Sequence, residues 1–247
     1  MSTDWPQGYR RRVLATVDST MAEAARLAPT LSGPEWILGL EQTAGRGRRG
    51  RAWTDPKGNF AATLVLHPSE PPEVVALRSF GASLALFDAF VAVSGRPRAF
   101  ALKWPNDVLL NGGKVAGILL ESLGGTQVTH LAIGIGVNLM QAPGQVEPGA
   151  VTPVSLLSET GVQVTPEEFL DILAPIYAGY ETQFITYGFT PIREKWLSRA
   201  ARLGQVITAR TVNDEITGTF ETVDDRGNLV LSTAKGRMAI PAADVFF

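Results

Sequence analysis

Gly45-Arg46-Gly47-Arg48-Arg49-Gly50-Arg51 is a segment in which three glycines separate four arginines. Each arginine carries a fixed charge and a planar set of donors that suits carboxylate and phosphate groups. Glycine leaves the backbone free to bend, and ordering it costs conformational entropy. This arginine loop (residues 45–51) is therefore predicted to be mobile when empty and closed around an anion when occupied. Trp53, just after it, offers a surface on which a base could stack.

Segments with helix or strand periodicity lie on both sides of the arginine loop. Capping boxes at 20–23 and 165–168 predict helices that end near residues 28 and 187. Apolar spacing predicts a long helix over 73–93, and a shorter one is expected over 190–200. Strands are predicted at 13–17, 36–41, 60–67, 100–104, 108–110, 115–122 and 128–139. Asn111-Gly112-Gly113 is typical of a hairpin turn, and 141–153 is predicted to be a loop near the functional site.

The pattern changes near Leu203, where short strands begin to alternate with turns. The strands are predicted at 206–210, 216–222, 229–232, 237–240 and 245–247. This spacing predicts a small β-barrel of about 45 residues. The sequence thus predicts a large domain, residues 1–202, and a small β domain, residues 203–247.

Composition excludes several classes of function. The 247 residues include no cysteine, which excludes disulfides, thiolate metal sites and a cysteine nucleophile. The net charge of −2 and the pI of about 5.8 argue against a general nucleic-acid coat protein. No signal peptide is evident, and no apolar run of about 18 residues predicts a membrane span. His67 and His130 are far apart in the sequence, so a histidine-centred mechanism is not expected.

Four further elements carry residues that local structure does not fully explain. Lys103-Trp104-Pro105-Asn106-Asp107 contains a proline-asparagine turn, but a turn does not require the lysine and the tryptophan. In Gly112–Gly117 the hairpin leaves Lys114 and Gly117 unexplained, and a glycine within a strand suggests that a ligand approaches closely. Thr20 could be a helix cap or a ligand contact, whereas Ser19 is free for a ligand. Asn138 closes the apolar segment 134–138.

In this order, these elements resemble the biotin–protein ligase family. The matching motifs are Gln42-Thr43 with the arginine loop, Lys103–Asp107, Gly113–Leu119 and Gly134–Asn138. The resemblance covers about residues 13–138, and the C-terminal β domain also looks like that of the family. It implies an α/β fold with a mixed central sheet and packed helices, followed by a small SH3-like barrel.

The resemblance also implies an activity. Biotin's carboxylate would attack the α-phosphate of ATP to give biotinyl-5′-AMP, and a lysine of a biotin carboxyl carrier domain would then displace AMP. Mg²⁺ is the implied metal, with no protein ligand set assigned to it. The expected setting is the cytoplasm, without membrane or DNA partners, and a homodimer is plausible because related enzymes often pair through sheet edges.

The motifs imply roles for individual residues. The biotin pocket is expected to be formed by Ser19, Thr20, Gln42, Gly45, Arg46, Gly47, Arg48, Lys114 and Gly117. The charges that promote catalysis are expected from Lys114, Arg46, Arg48 and Arg51. The nucleotide is expected to contact Arg48, Arg51, Trp53, Lys103, Asn106, Lys114 and Asn138. Asp107 could orient Lys103, a cation or the incoming lysine, and the sequence does not choose among these.

The sequence departs from the family pattern at two points, and two other functions are alternatives to the one that the resemblance implies. Met21 stands where the family usually has asparagine, and a thioether donates no hydrogen bond. Barely a dozen residues precede the first predicted strand, which predicts the ligase-only type without a DNA-binding domain. ATP-dependent lipoate ligases are a rival enzyme class, although the arginine loop and Lys103–Asp107 favour biotin. A biotin-sensing DNA-binding repressor is the second rival, and the acidic pI argues against it.

Overall fold

The structure is a computed structural model that describes residues 4–47, 50–54, 56–124, 128–144, 151–211 and 214–246. The strands of the larger part are β1 Arg10–Leu14, β2 Glu35–Gly39, β3 Phe60–Leu66, β4 Phe100–Lys103, β5 Asp107–Leu110, β6 Gly113–Leu123 and β7 His130–Val137. The helices are α1 Thr20–Leu27, α2 Pro72–Val75, α3 Arg78–Ser94, α4 Leu156–Thr160, α5 Pro166–Tyr187 and α6 Phe189–Leu197.

The seven strands form one mixed sheet in the order β1-β2-β3-β7-β6-β5-β4. Only the β1–β2 pair is parallel among these described strands, and the remaining neighbours are antiparallel. The mixed central sheet predicted from the sequence is thus confirmed.

Helices cover both faces of the sheet, as the strand pattern requires. β2 is buried along its whole length, and alternate residues of a strand point to opposite faces. Trp36 and Leu38 belong to the main core with α3 and α5, whereas Ile37 packs on the other face with Met21 of α1. The core therefore has two layers of unequal size.

The helix predicted over 73–93 is two helices, α2 and α3, which meet at Ala76 and Leu77. The combined stretch Pro72–Ser94 is, among the described residues, long and apolar enough to cross a membrane by composition, contrary to the sequence-based expectation. However, 72% of its most apolar window is buried inside the protein. Its hydropathy is therefore that of a core helix.

A second sheet follows, with strands β8 Val206–Arg210, β9 Glu215–Val223, β10 Leu229–Thr233, β11 Gly236–Ile240 and β12 Asp244–Phe246. The sheet is antiparallel in the order β11-β10-β9-β8-β12, which confirms the predicted C-terminal β domain. The SH3-like barrel shape stays a prediction, because β11 and β12 are the two edges of this sheet.

The two sheets share one hydrophobic core. Phe220 and Leu229 of the second sheet belong to the same buried cluster as α3 and α5. The Trp104 indole N–H donates to the Gly227 carbonyl at 3.0 Å, so this tryptophan, unexplained by its turn, fixes the C-terminal sheet against the first. Gly227 has a φ of +78°, and a Cβ there would lie 2.8 Å from Leu77 Cδ2.

Two predictions that depend on residues close together in the sequence, a hairpin turn and a helix cap, were confirmed. Asn111 and Gly112 have φ values of 50° and 85°, as the predicted hairpin turn requires. Thr165 and Glu168 form the predicted capping box of α5. By contrast, the capping box at 20–23 is wrong, because Ser19 is the N-cap of α1 and makes no side-chain cap bond. The sequence also missed α4, which Ser155 caps through Ser158.

The first strand lies at Arg10–Leu14 and not at the predicted 13–17. Charge pairing explains the shift, because Glu35 on β2 is only 3% exposed and needs cationic partners. The Nε atoms of Arg10 and Arg12 lie 3.2 and 2.8 Å from its carboxylate. The polar start of β1 is therefore held by β2.

Candidate active site

A cavity of about 610 Å³ opens where the first sheet, the arginine loop and the C-terminal sheet meet. This volume is in the range of small-molecule sites. Its wall includes the start of α1, the middle of β6 and the end of β7. The predicted site residues that line it are Ser19, Thr20, Gln42, Arg46, Gly47, Arg51, Trp53, Lys103, Asn106, Lys114, Gly117 and Asn138.

Polar groups at the start of α1 form one end of the cavity. The Gln42 amide oxygen accepts from the Thr20 backbone N–H at 2.9 Å and from its hydroxyl at 3.2 Å. The buried Thr63 hydroxyl donates to Thr20 Oγ1 at 2.9 Å, so Thr20 is held on both sides. The Ser19 hydroxyl is buried and has no hydrogen-bond partner among the residues that the structure describes. A buried unpaired hydroxyl on a cavity wall is a group ready for a ligand.

Met21 packs against β7 at the floor of the same end. It is 3% exposed, and a Cβ added at Gly134 would lie 2.7 Å from its sulfur. The Met21 thioether thus fits against β7 only because position 134 is a glycine. In this chain, the position contributes an apolar surface and no hydrogen-bond donor.

Two lysines and an aspartate form the centre of the cavity. Lys114 Nζ lies 2.7 Å from Asp107 Oδ1, and Lys103 Nζ lies 3.9 Å from Asp107 Oδ2. Asp107 is the first residue of β5 and pairs with Gly117 of β6. The end of the Lys114 side chain lies over Gly117, which brings its ammonium group to Asp107. The sequence left open whether Asp107 orients Lys103, a cation or the incoming lysine. In the structure it contacts both Lys103 and Lys114.

Trp53 fits on the cavity wall because two strand glycines leave room for its ring. A Cβ at Gly136 would lie 2.4 Å from Trp53 Cε2, and one at Gly117 would lie 3.4 Å from Cζ3. Lys114 Nζ lies 5.7 Å from the centre of the indole ring. Gly117 thus makes room for the side chains of Trp53 and Lys114, and the sequence-based idea that a ligand approaches it closely stays a prediction.

The described parts of the arginine loop are folded back on each other. Gly47 N–H donates to the Arg51 carbonyl at 2.7 Å, and Trp53 N–H donates to the Gly45 carbonyl at 2.9 Å. Gly45 is not on the cavity wall, and a Cβ there would lie 2.7 Å from the Trp53 carbonyl oxygen. The predicted site residue Arg48, like Arg49, lies outside the described residues. The predicted mobility of the empty loop is untested.

Comparison with known proteins agrees with these motifs. A model described as "Biotin/lipoate A/B protein ligase family" matches residues 13–138, and one described as "Biotin protein ligase C terminal domain" matches residues 203–247. Over 238 residues the chain is 59% identical to the biotin–[acetyl-CoA-carboxylase] ligase of Paracoccus denitrificans, covering 95% of this chain and 99% of that protein. The chain belongs to the biotin protein ligase family.

Other relatives place this ligase in the same family. It is 32% identical to the bifunctional ligase/repressor BirA of Bacillus subtilis over 93% of this chain and 71% of that protein. The structure of the Aquifex aeolicus biotin protein ligase in complex with biotin and ATP superposes with a TM-score of 0.82 at 26% identity. That match covers 96% of this chain and 97% of the Aquifex protein.

Two predicted site residues of this biotin protein ligase are tied to the backbone. The Asn106 side-chain amide donates to the Ile118 carbonyl of β6. The Asn138 amide donates to the Val154 carbonyl at 3.0 Å and to the Lys114 carbonyl at 3.4 Å, and Asn138 is 2% exposed. Both residues line the cavity, and both also fix the strands that carry Lys114.

Sequence reasoning missed the part of the wall that comes from the C-terminal sheet. Arg210, Asp244, Val245 and Phe246 all line the cavity. No signal in the sequence distinguishes them, because they lie in short strands with ordinary alternation. The loop predicted near the site does contribute, through Pro143, Val151 and Pro153, whereas 145–150 lie outside the described residues.

The two histidines, distant in sequence, meet at the opposite end of β3 and β7. Their ring centres are 4.4 Å apart. Partial burial and the neighbouring His67 lower the pKa of His130. His67 follows β3 and His130 begins β7, about six residues, or about 20 Å along the strands, from the cavity residues Ala61 and Gly136.

Proposed function

We propose that this chain converts biotin and ATP to biotinyl-5′-AMP and then transfers biotin to one lysine of a biotin carboxyl carrier domain. The observation that carries the proposal is the cavity itself, which combines an unpaired buried hydroxyl at one end with a cluster of cations at its centre. The first suits the polar ring of biotin, and the second suits a carboxylate meeting a triphosphate. The relatives named for biotin support the substrate.

The end of the cavity at α1 is proposed to hold biotin's ureido ring. Ser19 would hydrogen-bond the ring, and Thr20 and Gln42 would orient it, since their mutual bonds fix their positions. Gly117 and Met21 would face the apolar part of biotin. Gly45, Arg46, Gly47 and Arg48 are proposed to close over the bound vitamin as parts of the arginine loop.

Lys114 is proposed to bridge biotin's carboxylate and the α-phosphate. Biotin's oxygen would form a bond to the α-phosphorus while the bond from that phosphorus to the bridging oxygen breaks, and pyrophosphate leaves. Both reactants are anionic, so neutralising and positioning them is the main task of the protein. Asp107 would hold the Lys114 ammonium in place, and Arg46, Arg48 and Arg51 would share the phosphate charge.

The nucleotide is proposed to lie between Trp53 and the 103–107 turn. The indole offers a flat face for the base, and base–aromatic stacking is worth about 1–3 kcal/mol. Lys103 and Lys114 would contact the phosphates, while Asn106 and Asn138 would fix the strands around them.

The residues that the structure describes offer Mg²⁺ no ready-made protein site. Among the described residues, no three His, Cys, Asp or Glu side chains cluster in a way that could hold a metal ion. Asp107 in the cavity is already in contact with two lysines. The described residues therefore do not fit a dedicated protein-held metal. Mg²⁺ commonly keeps waters and binds substrate phosphates, so it would enter with the nucleotide.

In the second half-reaction the carrier's lysine amine would attack the acyl carbon of biotinyl-AMP. A carbon–nitrogen bond forms, the carbon–oxygen bond to phosphate breaks, and AMP leaves as the amine loses a proton. The attack needs an uncharged amine, so this step should slow as pH falls below the pKa of the carrier lysine. The Asp107 carboxylate, which lines the cavity and contacts Lys114, would orient that amine.

The proposal also covers domain division, assembly and location. Residues 1–202 and 203–247 are proposed as two domains, although their shared core predicts that they unfold together. The exposed β1 edge is the proposed surface for a homodimer, which sedimentation velocity would detect. A cytoplasmic location is expected, as is the absence of DNA binding, and a gel shift at physiological salt tests the latter.

Mass spectrometry of the purified chain with ATP, Mg²⁺ and either biotin or lipoate tests the proposal. Biotinyl-AMP should form, and a carrier domain added afterwards should gain one biotin on one lysine. A carrier with that lysine changed to arginine is the control for transfer. Adenylation of lipoate without adenylation of biotin would show that the substrate assignment is wrong.

A further inference from the structure

Asp244 lies at the start of β12, on the wall that the C-terminal sheet adds to the cavity. β12 pairs antiparallel with β8, and Ala243 and Val245 on either side are 0% and 5% exposed. A residue between two buried neighbours has little freedom to move, because packed interiors resist displacement. The backbone of Asp244 is therefore fixed, and its side chain, 25% exposed, extends from that point at the edge of the cavity.

This carboxylate contacts the arginine loop. Asp244 Oδ2 lies 3.6 Å from Nη2 of Arg51, whose side chain is 51% exposed. The Arg51 backbone is held separately, through its carbonyl and the Gly47 N–H. A long and half-exposed side chain samples many rotamers unless a fixed partner selects some of them. Asp244 thus selects rotamers of Arg51 that keep its guanidinium on the cavity wall.

The contact has little value for folding stability. Ion pairs with exposed members contribute weakly, since water screens them and the long side chain loses entropy. Catalysis is more sensitive to the direction of a charge, and a misplacement of about 1 Å can lower a rate about a hundredfold. The expected consequence of the pair is therefore on the reaction and not on the melting temperature.

Lys114, which lines the same cavity, is paired in the same way. Lys114 is held 2.7 Å from Asp107, a carboxylate fixed at the start of β5. Each of these two cations, both assigned to phosphate or carboxylate groups of the substrates, is thus paired with an aspartate that begins a strand. The cation would already be in position when the substrate binds, so the phosphate would replace the carboxylate or join it as a partner.

We propose that Asp244 is a positioning residue for biotin adenylation, and that it acts by holding Arg51 in the cavity. The C-terminal sheet thereby contributes to the first half-reaction without contacting the reacting atoms. This inference rests on the proposed function, because it takes Arg51 to face the phosphates of ATP.

The test compares Asp244→Asn, Arg51→Ala and the double variant in an assay of biotin-dependent pyrophosphate release. Asp244→Asn should lower kcat/KM for ATP about fivefold or more, with KM for biotin unchanged. Because both changes remove one interaction, the double variant should be no slower than Arg51→Ala. Asp244→Glu should recover part of the loss, since it restores the charge.

Asp225→Asn is the matched control, because Asp225 also joins the C-terminal sheet to the first part, through Arg193, but is not on the cavity wall. It should leave the kinetics unchanged. Equal kinetics for Asp244→Asn and the parent chain, a faster Asp244→Asn, or losses that multiply in the double variant would each overturn the inference. A parent chain that forms no biotinyl-AMP would instead refute the proposed function.

Discussion

Gly136→Ala should weaken nucleotide binding without unfolding the protein. The added Cβ would lie 2.4, 2.5 and 2.7 Å from three atoms of the Trp53 indole. Carbon atoms in contact prefer about 3.5–4.0 Å, so the indole must move by about 1 Å or more. Trp53 is only partly buried, and its ring can turn away towards solvent.

The size of the effect follows from the loss of the stacking surface. Base–aromatic stacking is worth about 1–3 kcal/mol, which corresponds to a loss of about 5- to 150-fold in affinity for the nucleotide. The strand itself should tolerate the change, because Gly136 does not have a positive φ and alanine restricts the unfolded chain more than glycine does. The melting temperature should therefore change little.

Isothermal titration with biotin and with a non-hydrolysable ATP analogue measures the two affinities separately. Gly134→Ala is the matched control, because its Cβ would meet the Met21 sulfur at 2.7 Å and not the indole. This control should weaken biotin binding and leave nucleotide binding nearly intact. The reasoning is refuted if Gly136→Ala binds the ATP analogue as the parent chain does, or if the two variants lose the same ligand.

Three further changes have defined outcomes. Lys114→Ala should slow adenylate formation more than tenfold, a loss above about 1.4 kcal/mol, with a melting temperature close to that of the parent chain; an equally active variant contradicts its role. The Arg48→Gly variant should release biotinyl-AMP, which would then biotinylate bystander proteins detectable on a blot. In the parent chain, hydrogen exchange of residues 45–51 should slow when the adenylate binds. Equal exchange with and without the adenylate, together with no bystander labelling by the variant, would show that the arginine loop does not close over the adenylate. Glu181→Ala removes an ion-pair partner of Arg78, which is only 3% exposed, and should lower the free energy of unfolding by about 3–5 kcal/mol. An unchanged midpoint of denaturant unfolding would contradict this.

Local chemistry in the sequence determined most of the elements and predicted many of the residues that line the cavity. Asn111 and Gly112 specify their turn by themselves, because both must adopt positive φ. Thr165 and Glu168 specify the start of α5 within a single helical turn. The motifs around Lys103, Lys114 and the arginine loop predicted residues of the cavity wall, because cationic side chains indicate an anion site even before the fold is known.

Tertiary structure decided whatever depended on a distant partner. β1 begins at Arg10 because buried Glu35 lies opposite, and Thr20 faces Gln42 and Thr63 in place of capping its helix. Asp244 reached the cavity only because the C-terminal sheet packs there. Periodicity and capping report interactions within a few residues of each other, whereas these contacts join positions far apart in the chain. Their partners are fixed by the packing of whole sheets, which no local pattern encodes.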